Sequence, residues 1–76
     1  MAFKIVSVPF TGEYITLGQF LKKVGLIDFG GEEKAFLVEN SVYVNGSLEN
    51  RRGRKLRDKD LVNVLDYQFV LCSSED

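Results

Sequence analysis

Ile15-Thr16-Leu17-Gly18-Gln19-Phe20-Leu21-Lys22-Lys23-Val24-Gly25 decides how this 76-residue chain is read. Thr16 and Gln19 have capping-box spacing, in which a hydroxyl accepts from the third backbone N–H and the amide reaches back. Leu17, Phe20, Leu21 and Val24 then fall at i, i+3, i+4 and i+7, which is one apolar face of a short helix. Lys22 and Lys23 lie off that face. Gly25 suits the left-handed residue that closes a helix.

Working outward, residues 2–8 read as an opening or edge strand, with Phe3, Ile5 and either Val6 or Val8 facing in. Pro9 is expected to end it, because proline offers no donor to a ladder. Phe10 to Tyr14 reads as a turn around Gly12. Downstream, Gly30-Gly31 breaks the chain before a second helix at about Glu32–Glu39. Glu32 and Glu33 favour its N-terminal turn. Its faces are expected to carry Ala35, Phe36 and Val38 or Glu39, with small Ala35 allowing close approach to the first helix. Val42-Tyr43-Val44 is a short strand, and Asn45-Gly46 is a strong hairpin signal, since a type I′ turn needs positive φ at both residues. Ser47 to Asn50 returns antiparallel. Leu56 anchors the loop that follows, and Arg57 to Asp60 is a turn. Residues 61–65 and 67–71 are further strands, the last able to pair with the first. Ser73 to Asp76 reads as a mobile acidic tail. The layout is α+β: two short helices packed on a small, mainly antiparallel sheet with extra N- and C-terminal strands.

A chain of this length holds one domain, 1–76, with a single small core. It has no histidine and one cysteine. Imidazole chemistry and an internal disulfide are therefore excluded, and a lone thiol in a short chain fits a cytoplasmic setting. Cys72 is expected to be a buried or inert thiol. No apolar run approaches the length of a membrane span. Glu32 and Glu33 are adjacent, so they diverge on a helix and cannot act as a facing carboxylate pair. The pattern points to no enzyme, no metal site and no cofactor. Monomer is the default, because no wide apolar stripe remains once the core is assigned.

Ten basic residues stand against eleven acidic ones, a formal net charge of −1. The total hides an asymmetry. Arg51, Arg52, Arg54, Lys55, Arg57 and Lys59 fall within nine positions, with Asp58 the only acid among them. A local positive field of this kind matters more for phosphate binding than net charge. Four of the six are arginine, the side chain that grips phosphate or carboxylate bidentately. Gly53 divides the cluster, which suggests a defined turn rather than a tail.

The order of motifs resembles the S4-type RNA-binding domain. The stretches carrying the likeness are Ile15–Lys22, Gly30-Gly31, Lys34-Ala35-Phe36-Leu37, Val42-Tyr43-Val44-Asn45 and Asn50-Arg51-Arg52-Gly53-Arg54-Lys55-Leu56. They are similar to the small standalone bacterial proteins of the YaaA/YbcJ type, over about residues 13–65. Three positions depart from the general pattern. Thr16 stands where an arginine usually opens the first helix, Gly30-Gly31 where Ser-Arg opens the second, and Lys59-Asp60 where Gly-Asp precedes a strand. The first two remove basic groups, leaving the weight on the Arg51–Arg57 loop and Lys34.

The resemblance implies binding of structured RNA, ribosomal or tRNA-like, in ribosome assembly or translation. A-form RNA is read mainly by shape, phosphates and 2′-hydroxyls. The expected interface is Arg51, Arg52, Arg54, Lys55, Arg57 and Lys34. Asn45, Ser47 and Asn50 are candidate donors to a 2′-hydroxyl, with Lys22 and Lys23 peripheral. The alternative is a protein-interaction module whose basic loop docks an acidic partner. Exposure of Tyr14, Tyr43 or Tyr67 would favour that alternative, although each also reads as ordinary strand packing.

Overall fold

The computed structural model describes residues 3–74. The expected start of the first strand at Ala2, and Glu75 and Asp76 of the acidic tail, lie outside the described residues. The elements run β1 (Lys4–Thr11), β2 (Ile15–Thr16), α1 (Leu17–Lys23), α2 (Glu33–Glu39), β3 (Val42–Val44), β4 (Ser47–Leu48), β5 (Lys55–Leu56), β6 (Leu61–Val64) and β7 (Tyr67–Ser74). Five strands form one sheet in the order β1-β7-β6-β3-β4, while β2 and β5 make a separate two-stranded ribbon. Only the β1–β7 pair is parallel. This is the mainly antiparallel α+β architecture expected.

The capping box forms as read. The Thr16 hydroxyl accepts from the Gln19 N–H at 3.3 Å, and the Gln19 amide oxygen accepts from the Thr16 N–H at 3.1 Å. Gly25, at φ +81°, follows the helix. Removing the hydroxyl strands a helix-end donor. Thr16→Ala is expected to cost about 1 kcal/mol, a fall in Tm of roughly 4–8 °C in a domain this size. Thermal melting followed by circular dichroism measures it.

One face of the sheet carries the core. Leu17, Phe20 and Leu21 of α1 and Leu37 of α2 are buried with Val8, Phe10, Val42, Val44, Val62, Val64, Phe69 and Leu71 of the sheet. Phe20 meets Phe69 edge to face at 5.1 Å between ring centres. The Asn45-Gly46 turn has positive φ at both residues, 52° and 85°.

Several expectations are corrected. β1 runs through Pro9 to Thr11. It is an edge strand, the place in a sheet where a missing donor is tolerated. Its buried side chains are Val8 and Phe10, whereas Phe3, Ile5 and Val6 are exposed. Both faces of this strand are apolar in sequence, so alternation alone could not choose between them. Ser73 and Ser74 belong to β7, paired with Phe10 and Thr11. They are therefore not part of a tail. Ala35 is exposed, and Leu37 is the buried residue of α2. Close approach occurs at Gly18 instead, where an added Cβ would lie 3.1 Å from the Glu33 Cγ and 3.4 Å from the Arg52 carbonyl oxygen. Cys72 is exposed rather than buried.

The outer face of the sheet is also open. Ile5, Gln68, Asn63, Tyr43 and Leu48 form one continuous cross-strand row, and Ser7, Val70 and Leu61 the next. Neither row carries a charge. An apolar surface does remain once the core is assigned, because two seven-residue helices cover only one face.

Candidate nucleic-acid interface

The basic loop is held in place by its own backbone. Leu17 and Gly18, at the start of α1, donate their N–H groups to the carbonyls of Arg54 and Arg52 at 2.8 and 2.9 Å. The loop thus satisfies two of the donors that a helix start leaves free. The Arg54 N–H closes on the Arg51 carbonyl at 3.1 Å, making the turn that Gly53 foreshadowed. On the far side, Ile15 and Thr16 pair with Leu56 and Lys55.

A carboxylate that sequence reasoning missed organises the interior of this loop. Glu49 is only 7% exposed. It accepts from the Arg51 backbone N–H at 3.0 Å, the Arg51 Nε at 2.9 Å, the Arg51 Nη2 at 3.2 Å and the Arg54 Nη1 at 3.2 Å. The Arg51 hydrogen bonds hold its carboxyl down at about 2, against the opposing effect of burial. The available signal was a lone acid two positions before an arginine run, with no cation nearer on its other side.

The six cations therefore have different duties. Arg51 and Arg54 are tied to Glu49. Arg52, Lys55 and Arg57 are exposed and make no ion pair among the described residues. Arg51, Gly53, Arg54, Lys55, Arg57 and Asp60 line a shallow depression of about 620 Å³. Lys34 is exposed on α2, next to Glu33. The Glu33 carboxyl lies below its ordinary range, held first by its own backbone N–H and that of Gly31, with smaller help from Arg52 and Lys22.

Asn45 makes two hydrogen bonds within the fold. Its amide donates to Asp60 Oδ1 at 3.1 Å and accepts from the Leu61 N–H at 2.9 Å. The side chain thus fixes the hairpin against β6 through its oxygen and one amide hydrogen, and it is exposed. Asn50 and Ser47 are exposed. Asp60 also accepts from the Arg57 N–H at 2.8 Å, so it braces the exit of the basic loop.

Tyr14 and Tyr43 are exposed and Tyr67 half-buried, an exposure that by itself suits a protein partner, but Tyr14 lies among the cations of the basic loop. Lys55 Nζ lies 4.9 Å and Arg57 Cζ 5.8 Å from its ring centre.

This frame, with the helix start seated on a basic turn, coincides with a known family. Residues 8–71 match the model of the S4 domain. The chain belongs to the S4 domain family. It is also similar to "Probable ribosome maturation protein RlbA" of Bacillus subtilis (strain 168), at 54% identity over 52 residues, which span 68% of this chain and 73% of that protein. The basic turn, both helices and β3 to β6 all fall inside the S4 domain match. So does β7 as far as Leu71. No helix among the described residues is long and apolar enough to cross a membrane.

Proposed function

We propose that this S4-domain chain binds structured RNA, ribosomal or tRNA-like, as a single copy and without turnover, in ribosome maturation. The observation that carries this reading is the division of labour around Glu49. One buried carboxylate fixes the turn through Arg51 and Arg54, leaving Arg52, Lys55 and Arg57 exposed beside it. Cations held at set spacing on a rigid turn suit phosphates across an A-form groove. The name of the Bacillus relative supports the same direction.

The test is a titration with fluorescent RNA at several salt concentrations, using a hairpin, a single strand and a DNA duplex of matched sequence. Preference for the hairpin is expected, with one chain per hairpin. If four or five cations neutralise phosphates, log K should fall against log salt with a slope of about −4, from roughly −0.9 per phosphate. Equal, weak and salt-insensitive binding to all three would sink the proposal and leave the ridge to an acidic protein partner.

A further inference from the structure

The β2–β5 ribbon brings together residues that lie some forty positions apart in sequence. Its register pairs Thr16 with Lys55 and Ile15 with Leu56. Ile15 and Leu56 turn inward, half-buried and fully buried. Tyr14 precedes this pair and Arg57 follows it, so the ring comes to lie among the outward-facing cations Lys55 and Arg57. The ring is 43% exposed. Tyr14 also lines a depression of about 600 Å³, together with Phe10, Ile15, Lys22 and Lys23 among others. Phe10 is buried and Ile15 half-buried, whereas the two lysines are exposed. An aromatic ring and an apolar floor therefore share one surface with four basic side chains, Lys22, Lys23, Lys55 and Arg57.

From this juxtaposition we infer that Tyr14 is a stacking platform for one unpaired nucleobase adjoining the RNA duplex, with Lys55 and Arg57 holding the phosphate on one side and Lys22 and Lys23 that on the other. The inference rests on the RNA-binding reading above and extends it from the basic turn across the ribbon. Every base has a π-face, so stacking on an aromatic ring accepts any sequence, while the backbone is gripped by charge. Arginine and lysine beside the ring add cation–π attraction. The arrangement also gives the Lys22-Lys23 pair a role that a duplex seated on the basic turn alone does not.

The experiment compares a blunt RNA hairpin with hairpins of the same stem carrying three unpaired nucleotides at the 5′ or the 3′ end. The parent chain should bind one extended hairpin on the order of ten-fold more tightly than the blunt one, the effect of stacking a single base. Tyr14→Phe should keep that preference. Tyr14→Leu should lose it, the extended hairpin falling to the affinity of the blunt one. The chain has no tryptophan, so Tyr14→Trp supplies a unique fluorophore, which the extended hairpin should quench and the blunt one should not. Equal binding of blunt and extended hairpins by the parent chain overturns the inference and leaves the RNA-binding reading standing. So does an equal loss of both by Tyr14→Leu, since the ring would then serve only to position Lys55 and Arg57. If no hairpin binds, both readings fall together.

Discussion

The variant Arg52→Gln/Lys55→Gln/Arg57→Gln should bind hairpin RNA on the order of a hundred-fold more weakly than the parent chain at about 0.1 M salt, with its fold intact. Each phosphate contact contributes roughly −0.9 to the salt slope, so losing three should flatten it by about 2.7. The three side chains suit the test because they are exposed and make no ion pair among the described residues. The contacts at stake among the described residues are the two cations near Tyr14, each worth about 0.5–1 kcal/mol at an exposed site, and the weak attraction of Arg52 for Glu33. A thermal melt close to that of the parent, together with the weakened and flattened titration, is the expected pair of results. An unchanged slope in a folded variant would remove these residues from the interface. Arg51→Gln or Arg54→Gln would be a poorer choice. Either would strip a partner from Glu49 and mix loss of binding with loss of structure.

Glu49→Gln should show the complementary behaviour, a structural defect at a position that touches no RNA. The neutral amide keeps the size of the side chain but presents donors to guanidinium donors. Hydrogen bonds to charged groups contribute about 1.5–3 kcal/mol each when sheltered. Here Arg51 is 74% and Arg54 35% exposed, so solvent screening reduces the figure. A total of about 1–3 kcal/mol is expected, or a Tm lower by roughly 4–24 °C. RNA affinity should fall as well, because the turn that presents Arg52 loosens.

The pH dependence separates this role from a general loss of packing. The Glu49 carboxyl sits at about 2 in the folded chain and at 4.5 ordinarily. Between those values the unfolded chain binds the extra proton, so stability rises with pH. The contribution is complete above about pH 5 and lost as pH falls toward 2. The stability gap between parent and Glu49→Gln should therefore be widest near neutrality and close in acid. A gap that stays constant from pH 7 to pH 2 would show that the charge of Glu49 does not matter.

Much of this molecule was legible in its sequence because the signals are local. The α1 cap needs only Thr16 and Gln19, three residues apart. The hairpin needs only Asn45 and Gly46, whose positive φ values few other pairs tolerate. The basic turn needs only the spacing of Arg51, Arg52, Gly53 and Arg54. Each is a short-range rule that can be read without any distant residue. Tertiary structure decided whatever depended on a second, distant segment. Which face of β1 is buried depended on its parallel pairing with β7. Ser73 and Ser74 became strand rather than tail through the same pairing. Asn45 was tied into the frame by Asp60, fifteen residues away. Above all, sequence alone makes Glu49 one acid among eleven and Tyr14 an ordinary aromatic. Burial turned the first into the anchor of two arginines, and the register of a two-residue ribbon set the second against two cations. Charge and ring are fixed by composition, but a carboxylate's strength and a ring's neighbours depend on what the fold places around them.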